Sequence, residues 1–496
     1  MSLSTSIHDL KTLILSFHPA IAIETVEENR ARSVLIAAAK NLDLGFFEWS
    51  LTRGLVMPPS SQAIHGTTDP FKLLRHMEGL TVEGVFLLKD FARHLEDATV
   101  ARQFREVANR FARTRSTIVI TGQDVDLPSE VEHEVVYYEL KLPGREELHA
   151  ALEAVLQSVR ATNRVRVALE PEELDRLLNA MSGMTINQAR QAIAHAIIED
   201  GTLQPEDIER ILDRKAHAIR EGGLLEYFPA KDNQYELGGF KNLKSWLARA
   251  RIGFTPEAKE LNLTPPRGIL LVGVQGCGKS LAAKAIAREW NLPLMKLDAG
   301  SLYDKFIGES EKNFRKAVAM AESMAPVVLW IDEIEKGMTP PGGNGSDGGL
   351  SKRLFGAFLT WLQEKRQEVF VVATANDLFA LPPELMRKGR FDEIFFVDLP
   401  DENERETILG IHLKLRKQDP KDFEMPLLIA ATDGFSGAEI EQAVISSLYR
   451  ALHAKRPLDT EILLQEIKET IPLSVSRIED INRLRATAKD RFVPVN

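Results

Sequence analysis

A glycine-rich turn between Gly273 and Ser280 carries the residue types that bind phosphate. The turn, GVQGCGKS, follows the apolar run RGILLVG and precedes an alanine-rich stretch with helical periodicity. Glycines let backbone N–H groups surround a phosphate, and the start of a helix adds partial positive charge. Lys279 would reach the terminal phosphate oxygens, and the Ser280 hydroxyl would hold Mg²⁺. The spacing predicts a nucleotide-binding P-loop made of Gly273, Val274, Gln275, Gly276, Cys277, Gly278, Lys279, Ser280 and Leu281.

Two acidic residues end a second apolar run. In PVVLWIDE, Asp332 and Glu333 follow strand-forming residues, and α/β sheets bind ligands at the carboxyl ends of their strands. Asp332 would contact the Mg²⁺ shell, and Glu333 would orient or activate the attacking water. Taken alone, an Asp-Glu pair after a strand is often a solvated turn. Together with the P-loop, it predicts a site that hydrolyses ATP with Mg²⁺.

A third apolar run and the loop after it add an amide and two arginines. EVFVVATAN ends in Thr374 and Asn376, and the Asn376 side chain could hydrogen-bond the γ-phosphate or the water. The segment LPPELMRKGRFDE then supplies Arg387 and Arg390. Arginines on a loop are usually surface charge, but after a nucleotide-site strand they could stabilise the transition state. Such arginines contribute about 10³–10⁵ in rate in related phosphoryl transfers.

Composition excludes several classes of protein. A chain of 496 residues is expected to form two to four domains. Its net charge of -10 argues against a general polyanion binder, so a nucleic-acid partner is not expected. One cysteine excludes an internal disulfide, and the spacing of the 11 histidines excludes a helical HExxH zinc site. No apolar run reaches the ~18 residues that cross a bilayer, so an intracellular protein without a membrane span is expected.

The rest of the chain has the pattern of an α/β protein with a parallel sheet. Apolar, β-rich runs alternate with segments of helical period along most of its length. The predicted buried strands are residues 20–26, 83–90, 116–122, 267–273, 326–333 and 368–376.

The two halves of the sequence resemble each other. MSGMTINQARQAIAHAI parallels FSGAEIEQAVISSLYRA at an offset of about 254 residues. Each half also reaches a Leu-Pro step followed by a helical stretch. The pattern indicates a tandem duplication of one domain type, and chance similarity between helical segments is the alternative.

The first half lacks the chemistry of the second. Where the second half has its P-loop, the first reads TVEENRARSVLIAAAK, without glycine or a Gly-Lys-Ser step. Lys89 stands where the second half has Asp332, so the Mg²⁺-directed carboxylate is lost. We expect a degenerate domain that does not bind ATP and serves structure, oligomer contacts or partner binding.

In this order, the motifs of the second half resemble those of AAA-type ATPases. The resemblance implies a P-loop core with a helical lid, in which Leu237, Gly238, His412, Gly437 and Ala438 surround the adenine. It makes Asn376 the sensor of the γ-phosphate. It also implies that Arg387 and Arg390 reach into a neighbouring subunit's site, which requires a homo-oligomeric ring, usually a hexamer.

The same resemblance assigns a loop that grips a protein client. Phe306, Ile307 and Gly308 lie in SLYDKFIGESEKNFRKA at the place where the family carries an aromatic, an aliphatic and a glycine. An exposed aromatic is costly without a function, although Phe306 could instead pack on its own subunit. The glycine-rich segment 337–353 matches a second pore loop by position.

The sequence predicts five segments. Residues 1–211 form a degenerate AAA-like domain with a helical lid, 212–235 a linker, 236–398 the ATPase core, 399–470 its lid and 471–496 a terminal helix and tail. This arrangement resembles the AAA ATPases of cyanobacteria and algal plastid genomes catalogued as hypothetical chloroplast reading frame forty-six. The resemblance implies a cytoplasmic or stromal ATPase connected with regulating photosynthetic carbon use.

Two functions remain open at this point. One is an ATP-hydrolysing ring that remodels or threads a protein client. The other is a slow, nucleotide-switched scaffold whose first half docks a partner. Cys277 has two interpretations as well: a small residue that packs, or a thiol of lowered pKa that inhibits the site on oxidation.

Overall fold

The structure is a computed structural model that describes residues 3–60, 62–160, 166–221, 223–229, 239–299, 309–336, 348–365, 367–387, 389–489 and 491–496. The chain divides into two compact units, Met1–Lys215 and Ala216–Asn496. Within the described residues, no helix has both the length and the apolar character needed to cross a membrane.

The first unit alternates strands and helices over most of its length. Its elements are α1 (Leu3–Leu15), β1 (Ala20–Glu24), α2 (Glu28–Asn41), β2 (Gly45–Ser50), β3 (Gly54–Val56), α3 (Pro70–Gly79), β4 (Gly84–Lys89), a 3-10 helix (Phe91–Glu96), α4 (Ala98–Phe111), β5 (Thr117–Gly122), α5 (Ser129–Glu132), β6 (Val135–Tyr137), α6 (Arg145–Arg160), β7 (Arg166–Val167), α7 (Pro171–Met181), α8 (Ile186–Asp200), β8 (Thr202–Leu203) and α9 (Asp207–Glu221), which continues past the division at Lys215.

Six of these strands form one sheet in the order β3-β2-β4-β5-β1-β6. All neighbours are parallel except β2 and β3, which form an antiparallel edge pair. Along β1, Ala20 and Ala22 belong to one apolar layer while Ile21 and Ile23 belong to another. Because successive side chains of a strand point to opposite faces, both faces of this sheet are buried under helices. Helices α6 to α9 pack around a core of their own.

The second unit repeats the alternation and adds a helical subdomain. Its elements are β9 (Leu225–Phe228), α10 (Lys241–Ala250), a 3-10 helix (Arg251–Phe254), α11 (Pro256–Glu260), β10 (Gly268–Gly273), α12 (Lys279–Trp290), β11 (Leu294–Asp298), α13 (Glu309–Ser323), β12 (Val327–Asp332), α14 (Gly348–Glu364), β13 (Val369–Ala375), a 3-10 helix (Pro383–Met386), β14 (Glu393–Val397), α15 (Glu402–Leu415), a 3-10 helix (Pro420–Asp422), α16 (Met425–Ala431), α17 (Gly437–His453), α18 (Thr460–Glu469), α19 (Leu473–Ser476), α20 (Ile478–Ala488) and β15 (Val493–Pro494).

The sheet of the second unit has the order β15-β14-β10-β13-β12-β11-β9. Only the β9–β11 pair is antiparallel. Leu270 and Val272 of β10 face one apolar layer, and Ile269 and Leu271 face the other. The predicted α/β class with parallel sheets is therefore confirmed, and each of the six predicted strands is present with ends shifted by up to two residues.

The described parts of segment 212–235, which was predicted to be a linker or interdomain strap, contain the end of α9 and strand β9. Helix α9 continues to Glu221, and β9 pairs with β11 in the register Tyr227 to Met295. Tyr227 is buried in the core of the second unit. Gly-Gly pairs and charges indicated a linker, but the alternation of apolar residues in LEYF makes this segment an edge strand.

Helices α15 to α18 form a lid with its own apolar core. Two of them begin with a capping box, in which the first side chain accepts from a backbone N–H and a glutamate reaches back. These boxes are Asp401 with Glu404 and Ser436 with Glu439. They fix the points at which α15 and α17 begin, and both points border the site described next.

Candidate nucleotide-hydrolysis site

The predicted P-loop lies between β10 and α12. Strand β10 is buried along its whole length. A Cβ at Gly273 would lie 2.0 Å from the Val397 carbonyl oxygen, so only glycine permits this approach of β10 to β14. Gly278 has φ 89° and forms the N-cap of α12, a conformation that glycine adopts without steric cost. The backbone therefore turns sharply and presents the start of α12 to the loop.

Lys279 folds back onto the loop. Its ammonium donates hydrogen bonds to the carbonyl oxygens of Gly273 and Val274, each at 2.8 Å. The side chain is buried, and this burial lowers its pKa to about 8, against the opposing effect of nearby acidic groups. The two hydrogen-bond acceptors of this ammonium are neutral carbonyl groups, so it can exchange them for anionic phosphate oxygens.

Ser280 and Asp332, the predicted metal ligands, lie together. The Ser280 hydroxyl donates to Asp332 Oδ1 at 3.5 Å, and Lys296 Nζ lies 3.6 Å from the other carboxylate oxygen. No group of three or more acidic, histidine or cysteine side chains that could hold a metal occurs among the described residues. A hydroxyl and one carboxylate suit Mg²⁺, which usually takes few protein ligands and completes its shell with water and phosphate. The residues therefore fit this ion.

Thr374 connects the two acidic residues at the end of β12. Its hydroxyl donates to Asp332 Oδ1 at 2.8 Å and accepts from the Glu333 backbone N–H at 3.2 Å. Thr374 is buried, so the carboxylate that it holds is fixed in orientation. Sequence reasoning noted this threonine but assigned it no role.

Glu333 is held in an uncommon backbone conformation. Its φ of 48° lies in the left-handed region, which costs a non-glycine residue about 1–3 kcal/mol. Its Oε1 accepts from Asn376 Nδ2 at 2.9 Å, and its carboxylate pairs with Lys336. The Asn376 backbone N–H in turn donates to Glu335 Oε1 at 2.9 Å. The predicted sensor amide and the predicted water-activating carboxylate are thus in direct contact.

One cavity of about 1240 Å³ is bordered by Lys279, Ser280, Asp332, Glu333, Thr374 and Asn376. The volume exceeds the ~300–1,000 Å³ that is usual for small-molecule sites, so a nucleotide and its solvent fit. Of the predicted site residues, the cavity is lined by Gln275, Gly276, Cys277, Gly278, Lys279, Ser280, Leu281, Asp332, Glu333, Asn376, His412, Gly437 and Ala438.

The lid closes one side of this cavity. The Ala438 backbone N–H, at the start of α17, donates to the Gly276 carbonyl at 3.0 Å. His412 of α15 lies 3.6 Å from Glu441 and 3.3 Å from an Arg416 guanidinium nitrogen. Burial and the neighbouring Arg416 lower its pKa, and Glu441 opposes this shift. His412 therefore presents a neutral ring to the cavity at pH 7.

Arg387 and Arg390, unlike the site residues described above, lie away from the cavity. Arg387 is exposed after a 3-10 helix, and an Arg390 guanidinium nitrogen donates to the Leu359 carbonyl at 3.2 Å. Neither occurs among the described residues that line the cavity. The structure does not bring them into the site of their own subunit.

Five predicted residues lie outside the part of the chain that the structure describes. They are the adenine-pocket residues Leu237 and Gly238 and the client-loop residues Phe306, Ile307 and Gly308. The second pore-loop segment is also outside it over residues 337–347.

Cys277 is buried and packs in an apolar layer of the core. Burial raises the pKa of its thiol to about 12, and the Lys279 charge only partly offsets this. The redox hypothesis assumed a thiol of lowered pKa, and the raised pKa contradicts that assumption. The thiol packs as a small apolar group, as the alternative interpretation holds.

Several residues that line the cavity were not anticipated. They are chiefly apolar residues of β14 and α15, together with Phe240 and the end of the chain. The set comprises Phe240, Phe396, Val397, Leu399, Ile408, Ile411, Leu415, Pro494, Val495 and Asn496. On α15 the spacing 408, 411, 412, 415 was the available signal, since it places these side chains on one helix face.

This arrangement defines a P-loop nucleotide-binding domain with a helical lid. Residues 269–399 match the ATPase family associated with various cellular activities (AAA). Residues 6–140 match the N-terminal domain of SpoVK-like AAA ATPases, and residues 146–222 match the second domain of that group.

Three proteins named "Uncharacterized AAA domain-containing protein ycf46" are similar over nearly the whole chain. That of Guillardia theta is 36% identical over 96% of this chain and 94% of its own. That of Trieres chinensis is 36% identical over 94% and 93%, and that of Pyropia yezoensis is 35% identical over 97% of each. The chain belongs to the AAA ATPase family, and its first two domains are of the SpoVK-like type.

Proposed function

We propose that the second unit hydrolyses ATP and that the chain works as a ring, usually a hexamer in this family, that remodels or threads a protein client. The observation that carries the ATPase activity is the single cavity that gathers Lys279, the Ser280–Asp332 pair and the Glu333–Asn376 pair. The proposed location is the cytoplasm or, for a plastid-encoded chain, the stroma.

Each group has a distinct part in this reaction. Lys279 exchanges its two carbonyl acceptors for phosphate oxygens and neutralises part of their charge. Bound Mg²⁺, held by Ser280 and Asp332, supplies the remaining charge stabilisation. Glu333 orients the attacking water and accepts its proton, while Asn376 keeps the carboxylate aimed.

Glu333→Gln tests the hydrolysis step. The amide keeps the shape of the side chain but cannot accept a proton, so ATP should bind normally while turnover falls about 10²–10⁴-fold. Glu364→Gln, on an exposed residue at the end of α14, is the matched control and should turn over normally. A Glu333→Gln protein with full turnover would contradict the assignment.

The arginines support a ring. Arg387 is exposed and lies outside the cavity of its own subunit, as expected for a group that completes a neighbour's site. Lys279→Ala and Arg387→Ala proteins should each be inactive alone, whereas an equimolar mixture should regain activity. Mixed rings place an intact P-loop beside an intact arginine. A mixture that stays inactive, although mass measurements show mixed rings, rejects action between subunits.

Client handling is tested at the loop that the family resemblance assigns. Phe306→Ala should retain basal ATPase activity and lose its stimulation by a captured client. The client is identified by affinity capture with Glu333→Gln protein in ATP. Equal loss of both activities would indicate a structural role for Phe306.

The scaffold alternative rests on the first unit, which keeps a six-stranded sheet although Lys89 ends the strand that matches β12. In that case hydrolysis is slow and no client stimulates it. Nucleotide-dependent co-purification of one stable partner, without stimulation, favours the scaffold.

A further inference from the structure

Residues 493–496, here named the latch segment, lie at the edge of the second sheet and line the nucleotide cavity. Phe395 pairs with Val493 and Phe396 with Pro494 in parallel register, and the Val495 N–H donates to the Phe396 carbonyl at 3.2 Å. The last three residues of the segment border the cavity. The latch segment therefore reaches the site from an edge strand.

The first partner of the latch segment is the start of α10. Phe240, which precedes this helix, has φ 59° and provides no side-chain cap. The Lys241 N–H donates to Asn496 Oδ1 at 3.1 Å, and the Asn242 N–H donates to the Val495 carbonyl at 2.9 Å. The first N–H groups of a helix have no partner within it. The latch segment supplies acceptors for three of them, since the Leu243 N–H also donates to the Val495 carbonyl, at 3.4 Å.

The second partner is the first turn of the lid. Asn496 Nδ2 donates to Glu404 Oε1 at 2.6 Å, while Glu404 Oε2 accepts from the Asp401 N–H at 2.9 Å. Glu404 is buried. Gly239 passes so close that a Cβ there would lie 1.9 Å from Glu404 Oε1. One carboxylate thus contacts the lid cap, the latch segment and the chain that enters α10.

The two helices that Asn496 joins carry opposite parts of the cavity lining. Phe240 lies against the P-loop, 3.8 Å from a Cβ placed at Gly278. Helix α15 supplies Ile408, Ile411 and His412. A change in the angle between α10 and α15 would therefore move both linings relative to the P-loop.

We propose that Asn496 is a positioning residue for nucleotide affinity: its amide ties the start of α10 to Glu404 of the lid and holds the cavity closed around the bound nucleotide. The inference rests on the proposed nucleotide site and deepens it. Asn496 does not touch the reacting phosphate. Its loss should therefore weaken binding and raise KM while kcat changes little.

ADP binding is the first test, because it requires no hydrolysis. Asn496→Ala should bind ADP about three- to tenfold more weakly, the effect of losing one or two partly exposed hydrogen bonds. The KM for ATP should rise by a similar factor. Asn482→Ala, on an exposed residue of α20, is the matched control and should bind as the unsubstituted protein does.

Exchanging the amide of Asn496 and the carboxylate of Glu404 distinguishes the effect of their hydrogen bond from a general loss of stability. Asn496→Asp places two carboxylates together and should weaken ADP binding more than Asn496→Ala. Adding Glu404→Gln restores a donor facing an acceptor, because the Nε2 of the substituted side chain would face the new carboxylate. The Oε1 of that side chain would still accept from the Asp401 N–H. The double variant should therefore recover most of the affinity.

Hydrogen exchange at the Lys241 amide gives a readout without nucleotide, since Asn496→Ala should accelerate it. Unchanged exchange, unchanged ADP affinity or a double variant no better than Asn496→Asp would each overturn the proposal. If the unsubstituted protein binds ADP but never hydrolyses ATP, the proposed function is contradicted. The comparison of ADP affinity between the Asn496 variants and the unsubstituted protein remains valid in that case.

Discussion

The two sheets of the chain share one strand order and differ in the chemistry at their strand ends. The first runs β2-β4-β5-β1-β6 and the second β11-β12-β13-β10-β14, so each strand has a counterpart at the same place. In both sheets these five strands are parallel. Both units therefore have the five parallel strands of a nucleotide site, but only the second unit carries the predicted catalytic side chains at its strand ends.

Of the five shared strands, the third in chain order shows the difference most directly. β4 ends at Lys89 and β12 at Asp332, and the next residues, Asp90 and Glu333, have φ 52° and 48°. In the second unit Thr374 donates to the aspartate. In the first, the Thr121 hydroxyl is buried and has no hydrogen-bond partner among the described residues. The backbone turn therefore does not depend on the catalytic carboxylate.

The loop after the first strand differs more. In the second unit the lid helix donates its Ala438 N–H to the Gly276 carbonyl, which leaves the loop open to phosphate. In the first unit α8 donates its Ile186 N–H at 2.6 Å to the side chain of Glu27, which is buried. Glu27 also pairs with Arg30 at 3.2 Å. An internal carboxylate thus accepts from the lid of the degenerate domain.

The largest effect on activity is expected from removing the lysine of the P-loop in the second unit. Lys279→Ala removes the ammonium that meets the phosphates, so ATPase activity should fall by about 10²-fold or more. Glu28 begins α2 as Lys279 begins α12, so Glu28→Ala is the control. Steady-state turnover measures both. A comparable loss in Glu28→Ala would mean that the first unit also acts on nucleotide.

The next largest effect is expected in the first unit, from breaking the contacts of the Glu27 carboxylate with Arg30 and the Ile186 N–H. Glu27→Ala leaves the Ile186 N–H without its acceptor and removes one partner of buried Arg30, which Glu147 also holds at 2.8 Å. Breaking a buried ion pair costs about 3–5 kcal/mol. Hydrogen exchange should therefore accelerate in β1 and α8. Val26→Ala, on an exposed residue of the same loop, should have little effect.

Placing an aspartate at position 89, where the second unit has Asp332, should not create a nucleotide site in the first unit. Lys89→Asp breaks the ion pairs of Lys89 with Glu28 and Glu48 and adds a like charge, so the first unit should lose about 1–3 kcal/mol. Calorimetry should still find one nucleotide per chain, because the glycine loop is missing. A second bound nucleotide would show that the carboxylate alone was limiting.

A smaller effect follows from the protonation of Lys279. Its pKa is lowered to about 8, and phosphate favours the charged form, so binding above pH 8 takes up a proton. ADP affinity should be insensitive to this group below pH 8 and fall by up to about tenfold per pH unit above it. Lys365 also has a pKa of about 8 but donates to the Val369 carbonyl outside the cavity. Lys365→Met should therefore keep the same dependence in calorimetry at several pH values.

The smallest expected effect is at Cys277. Cys277→Ser should change turnover less than about twofold, and peroxide should inhibit both proteins equally, because a buried thiol of raised pKa reacts slowly. Protection of the serine variant from peroxide would contradict this.

Residues whose chemistry is local could be predicted from the sequence. Gly273, Lys279 and Ser280 form a motif whose spacing is set by one strand, one turn and one helix, and Asp332 ends a second apolar strand. The absence of that motif also led to the prediction that the first half is degenerate, and this stays a prediction.

Features that depend on distant pairing could not be predicted. The pairing of Val493 with Phe395 joins residues far apart in the chain, and no local pattern specifies a two-residue edge strand. One of the two interpretations of Cys277 had its pKa lowered by Lys279 and the helix N-terminus, but burial in the apolar layer has the larger effect. Burial is a property of packing, which spacing does not reveal.

The contact between Glu27 and α8 has a consequence for how the protein melts. A ligand that binds only the folded state raises stability by about 2.7 kcal/mol at 100 times its Kd. Such stabilisation by ATP should raise the melting temperature of the second unit alone. The first unit carries the Glu27 carboxylate within its own chain, so we expect its melting temperature to be the same whether cells are rich in ATP or depleted of it.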